Sequence, residues 1–157
     1  MINNKNTKIE LILILLMIVG GIILCFASMK MEKEIPKINY NSTEKDIKKV
    51  KGKKNLYFFW GDGCQFCANE KMYLDEFYAK NSDKYQIYGF EVWNNEENGK
   101  LLDKFGEELQ ENTDSVPILV IGQEMVIGFN EKMVEEIEEK LDKSEKEYKD
   151  LYEQIKE

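Results

Sequence analysis

Residues 54–67 read Lys54-Asn55-Leu56-Tyr57-Phe58-Phe59-Trp60-Gly61-Asp62-Gly63-Cys64-Gln65-Phe66-Cys67. The run from Asn55 to Trp60 is almost wholly apolar and aromatic, the pattern of a strand buried on both faces. Gly61, Asp62 and Gly63 turn the chain out of it. The spacing of Cys67, Met72, Leu74, Phe77 and Tyr78 then predicts a helix from Cys64 to Lys80, closed by Asn81-Ser82-Asp83. The two cysteines therefore stand where a buried strand passes into a helix. Free backbone N–H groups and the macrodipole at such an end favour an anion, so Cys64 should hold a thiolate more readily than a free cysteine. That thiolate can attack a partner's disulfide, and Cys67, one turn on, can displace the captured sulfur.

Strand and helix alternate on both sides of this junction. Upstream, Ser42 or Thr43 can cap a short helix carrying Ile47 and Val50, ended by Lys51-Gly52-Lys53-Lys54. Downstream, residues 85–93 (YQIYGFEVW) predict a second strand. After a polar loop over 94–99, Leu101, Leu102, Phe105 and Leu109 mark one apolar helix face. Residues 117–121 and 125–129 flank Gly122-Gln123-Glu124 as a tight hairpin. Asn130 can cap a last helix carrying Met133, Val134, Ile137 and Leu141. A strand–helix–strand part followed by a hairpin and helix predicts an α/β fold with a mixed central sheet and helices on both faces.

Composition narrows the chemistry. The 157 residues are 43% hydrophobic and 33% charged, enough apolar material for a core. All basic residues are Lys and the net charge is -8, which argues against nucleic acid as a partner. No His is present, so His-based triads, imidazole bases and imidazole metal ligands are excluded. A zinc site needs four ligands, and the only further cysteine is Cys25 in an apolar segment. A structural disulfide between Cys64 and Cys67 closes so small a loop that it constrains the unfolded chain little. Redox exchange is the reading that uses the strand–turn–helix setting, and it requires no metal or organic cofactor.

The stretch Phe59-Trp60-Gly61-Asp62-Gly63-Cys64-Gln65-Phe66-Cys67 resembles the thioredoxin signature, in which Phe-Trp precedes Cys-x-x-Cys, and Ser115-Val116-Pro117 adds to the likeness. The resemblance implies a thioredoxin-like thiol–disulfide oxidoreductase with Cys64 attacking and Cys67 resolving. It further implies a cis Pro117 beside the active-site disulfide and backbone hydrogen bonds from Val116 to a bound substrate chain, with Trp60 and Gly63 bordering the site. This chain departs from the family at Gly63, where thioredoxins carry Trp, and at Gln65-Phe66, where they carry Gly-Pro. The buried acid that many relatives place on the strand falls at Phe58. Glu91 on the neighbouring strand is then a candidate proton relay, with a solvated strand position as its alternative. Asp62 would oppose the thiolate if it turned inward. The implied partners are cysteine-containing proteins and an electron donor or acceptor, which a membrane protein can supply. A rival reading, motivated by the missing acid and the Gln65-Phe66 pair, is a non-catalytic module of the same fold that binds an exported protein or peptide.

The ends complete the organisation. After a polar flank (1–8), residues 9–29 form an apolar stretch about 20 residues long, enough to span a bilayer as a helix. A cleaved signal peptide has a shorter apolar centre and a small-x-small site, which Cys25-Phe26-Ala27 offers poorly. Lipid attachment at Cys25 disagrees with Leu24 directly before it. Lys5 and Lys8 before the stretch balance Lys30, Lys33 and Lys37 after it, so charge does not set the orientation. The resemblance to anchored thioredoxin-like proteins of bacteria places the domain outside the cytoplasm. Residues 30–37 read as a tether, 38–141 as the domain and 142–157 as a charged, solvated helical extension.

Overall fold

Five consecutive side chains of the first strand, Asn55 to Phe59, are buried, which fixes it at the centre of the sheet. The structure, a computed structural model, describes residues 9, 10, 12–19 and 36–156. Its elements are a 3₁₀ turn at Glu44–Asp46, β1 (Lys54–Trp60), α1 (Gln65–Asn81), β2 (Tyr85–Glu91), α2 (Glu96–Leu109), β3 (Ile118–Ile121), β4 (Glu124–Ile127), α3 (Met133–Lys146) and α4 (Tyr152–Ile155). The sheet order is β2-β1-β3-β4. β1 runs parallel to β2, while β3 lies antiparallel to both β1 and β4. The expected mixed sheet is present.

Alternation along β1 builds two cores. Leu56 and Phe58 point to one face, where they meet Leu74 and Tyr78 of α1 and Ile137 and Leu141 of α3. Tyr57 and Phe59 point to the other, onto Phe90 and the Leu101, Leu102 and Phe105 stripe of α2. Leu56, Tyr57, Phe58 and Phe59 are each fully buried, and burying a side chain of this size contributes about 1.5–3 kcal/mol before entropy is subtracted. Helices therefore cover both faces, and β1 carries the junction with α1 into the middle of the molecule.

Several local expectations are corrected. The capped helix after Ser42 shrinks to one 3₁₀ turn, closed by the Asp46 carboxylate accepting from the Thr43 N–H at 2.8 Å and the Thr43 hydroxyl at 2.9 Å. The polar loop expected over 94–99 is already the first turn of α2, because Asn95 Oδ1 accepts from the Asn98 N–H at 3.2 Å and Glu96 and Glu97 suit the positive helix end. On α1, Met72 is 68% exposed. The inward stripe is instead Cys67, Glu70, Leu74 and Tyr78.

The largest difference lies at the C-terminus. The solvated extension expected over 142–157 stops as a helix at Lys146, and the chain folds back onto the α2 side of the sheet. Leu151 is fully buried there. The Tyr148 hydroxyl accepts from the Asn55 N–H at 2.9 Å and donates to its C=O at 2.7 Å, while Asp150 accepts from the Tyr57 hydroxyl at 2.7 Å and the Asn55 amide at 3.0 Å.

Contacts divide the chain between residues 34 and 35. Among the described residues no helix is long and apolar enough to cross a membrane. Residues 12–19 are helical and their side chains exposed. The remainder of the 9–29 stretch, Ile9 and Glu10 apart, and the tether up to residue 35 lie outside the described residues.

Candidate functional site

Gly63 makes the turn into α1 with φ +79°, a backbone region where an L side chain is strained. Gly61 does a different job: a Cβ there would collide with the Trp93 ring, so its absence lets that indole lie against the turn. The chain leaves the turn at Cys64, the N-cap of α1. Cys64 Sγ accepts from the Cys67 N–H at 3.1 Å, one of the otherwise unpaired donors of the first helical turn. Cys64 and Cys67 form a disulfide, with their Cα atoms 5.2 Å apart. Their environments differ: Cys64 is half-buried at the surface, whereas Cys67 is 1% exposed within the core. An incoming sulfur reaches the first and not the second.

The loop before β3 meets this pair from the opposite side. The Val116–Pro117 peptide bond is cis, and Cys64 Sγ lies 3.8 Å from the Val116 carbonyl oxygen. Pro117 is buried, and its carbonyl accepts from the Gly128 N–H at 2.7 Å, which ties the loop to the end of the hairpin. Trp60, Gly63, Gln65 and Lys71 line a depression of about 300 Å³ that includes both cysteines. A larger depression of about 580 Å³, between the Glu44 turn and α2, contains neither. Phe66, between the two cysteines, is 61% exposed, and Trp93, which lies against Gly61, is 59% exposed. The structure thus brings together Cys64, Cys67, Val116, Pro117, Trp60, Gly63, Gln65 and Phe66.

Trp60 is held rigidly. Its indole N–H donates to the Tyr40 carbonyl at 2.8 Å, and the Lys71 ammonium sits 2.8 Å from its ring centroid and 4.9 Å from that of Tyr40. Burial lowers the Lys71 pKa, while the charges of Asp62, Glu91 and Asp75 pull it back up. Asp62 is exposed and turned to water.

Glu91, a candidate relay with a solvated strand position as its alternative, is bonded to the loops beside it. Its carboxylate accepts from the backbone N–H groups of Trp93 at 3.0 Å and Asn94 at 2.9 Å, and from that of Asp62 at 3.3 Å. It lines a neighbouring depression with Asn94 and Asn95 that excludes the cysteines. These bonds fasten the turn after β1 to the loop after β2.

The acid on the core side of the site is Glu70, which sequence reasoning missed. It is fully buried on the same stripe of α1 as Cys67, three residues on, and neither carboxyl oxygen has a hydrogen-bond partner among the described residues. Burial pushes its pKa up to about 8. The signal was the helical spacing 67–70–74–78, obscured by counting Met72 into the inward face. Among the described residues no cluster of ligands suited to a metal ion is present.

No protein-family model matches the chain, and no curated protein matches it in sequence. Its structure is similar to the solution structure of an uncharacterized thioredoxin-like protein from Clostridium perfringens, with a TM-score of 0.51 and 22% identity over 74% of this chain and 90% of that one. The crystal structure of a glutaredoxin from Archaeoglobus fulgidus matches with a TM-score of 0.37 and 21% identity, over 53% of this chain and 84% of that one. Together with the sheet order and the helix that opens at Cys64, the first likeness identifies the fold: this chain has a thioredoxin-like fold.

Proposed function

We propose that the Cys64–Cys67 pair exchanges electrons with cysteines of other proteins. The observation that carries this reading is the asymmetry of the pair: an accessible sulfur at a helix N-terminus receiving a backbone N–H, and a buried sulfur one turn later. In the reducing direction, the Cys64 thiolate attacks one sulfur of a partner disulfide and the other sulfur leaves as a thiolate. Cys67 loses its proton and attacks Cys64 Sγ; the Cys64–partner bond breaks, the partner's second sulfur leaves reduced, and Cys64 and Cys67 become the disulfide. The oxidising direction is the reverse.

The nearness of the Val116 carbonyl to Cys64 supports a groove in which an extended partner segment lies along that loop. Trp60, Phe66 and Trp93 offer it an apolar wall. Residues 9–29 tether the domain to a membrane, a reading supported by the exposed apolar helix over 12–19. By analogy with anchored relatives of this fold, the domain faces outward and draws or delivers electrons through a partner in the membrane.

The test is turnover of a protein disulfide such as insulin. Wild type should reduce it with a dithiol as electron source, and Cys64→Ser should lose the activity; a Cys64→Ser variant as active as wild type overturns the reading. Replacing Cys67 should accumulate mixed disulfides with partner proteins. A non-catalytic binding module would give none.

A further inference from the structure

Glu70 is a buried carboxyl on the same stripe of α1 as Cys67 that the exchange described above leaves unused. It stands one helical turn beyond Cys67, a separation that puts Cβ atoms about 5–6 Å apart on one face. Cys67 packs in the apolar layer with Leu56 and Phe58 of β1 and Leu119 and Ile121 of β3, and Glu70 is buried on the same stripe of α1. A buried carboxyl without a partner costs stability, so its presence calls for a compensating role. Two tyrosine hydroxyls feel its charge, Tyr40 from the segment before β1 and Tyr73 on its own helix. Tyr40 is committed, donating to Asp75 at 3.0 Å and to the Lys71 carbonyl at 3.1 Å. Tyr73 has a buried hydroxyl without a partner, and α3 sets Glu138 near it. Lys71, the next residue, is turned to the Trp60 and Tyr40 rings. No cation accompanies Glu70 among the described residues.

We propose that Glu70 is the proton acceptor for Cys67, supplied from the helix at the level where the strand offers only Phe58. The inference rests on the thiol–disulfide reading of the cysteine pair. In the resolving step the Cys67 S–H bond breaks and its proton passes to the Glu70 carboxylate, directly or through one water. The Cys67 sulfur forms the bond to Cys64 Sγ, the Cys64–partner bond breaks, and the departing thiolate takes up a proton from Glu70 or solvent. In the oxidising direction the protonated carboxyl returns the proton to Cys67 as it leaves. A carboxyl held up to about 8 by burial has a proton affinity close to that of a thiol, which suits it to both transfers.

The experiment follows the reduced full-length chain with a chromogenic aryl disulfide, which releases one aryl thiolate when Cys64 attacks and a second when Cys67 resolves. In Glu70→Gln the first release should stay within about twofold of wild type. The second should slow at least about tenfold at neutral pH and lose the ionisation that wild type shows in addition to that of the attacking thiol. Glu70→Asp should recover part of the rate. A second release with unchanged rate and pH profile in Glu70→Gln overturns the assignment while leaving the exchange reading intact. Absence of the first release in wild type overturns both. The wild-type profile is a check independent of how any variant folds: if it shows the attacking thiol alone, Glu70 is not the acceptor.

Discussion

Burial holds the Glu70 carboxyl at about 8 against an ordinary value of 4.5, so folding and its ionisation oppose each other. Because the folded value is the higher one, the stability it confers is complete below pH 4.5 and is lost as pH rises towards 8. The loss reaches on the order of 4 kcal/mol by pH 8. Thermal unfolding of the oxidised protein should therefore show wild type falling in melting temperature between pH 5 and 8 while Glu70→Gln stays nearly flat over the same window. Parallel curves would mean that the carboxyl is hydrated or paired in solution. Gly63 allows a simpler test. A Cβ there has open space around it, so Gly63→Ala meets only the backbone penalty of φ +79°, about 1 kcal/mol in denaturant unfolding. A neutral result would mean that the turn into Cys64 relaxes to another conformation.

At the scale of elements, β1 and the start of α1 were legible because their signals are local: an unbroken apolar run, glycines at the turn and a cysteine at the helix N-cap. The pairing of Cys64 with Pro117 was legible only through resemblance, since nothing in the residues between them fixes a distance of 3.8 Å to the Val116 carbonyl. The face of α1 was misread because Met72 looks like core and Glu70 does not, yet the helix buries the glutamate and exposes the methionine. The C-terminal fold-back was hidden for a related reason. Its anchor is polar: β1 pairs with β3 only from Leu56 onward, which leaves Asn55 to be satisfied by the Tyr148 hydroxyl. Tyr148→Phe should cost about 1–3 kcal/mol by stranding a backbone donor and acceptor, and Leu151→Ala about 2–5 kcal/mol by opening a void against Tyr57 and Phe105. Both are read by urea unfolding. Wild-type stability in either variant would show that the tail is detached from the sheet in solution.

For the whole molecule, the two cores on either side of the sheet draw on residues from 38 onward. Among the described residues, the side chains over 12–19 are exposed. A chain with a net charge of -8 and an acidic pI of about 4.8 has little electrostatic attraction to anionic lipid, so the membrane association proposed for it rests on the apolar N-terminal stretch. Burying about 20 apolar residues in hydrocarbon is effectively irreversible, in contrast to surface adsorption. The full-length chain should therefore remain with lipid vesicles through high-salt and alkaline washes. A chain beginning at residue 36 should stay in the supernatant, melt at the same temperature as the detergent-solubilised full-length protein and retain insulin reduction. Release of the full-length chain by salt would reduce the tether to adsorption, and loss of the melting transition in the shortened chain would mean that the N-terminal stretch contributes to the fold itself.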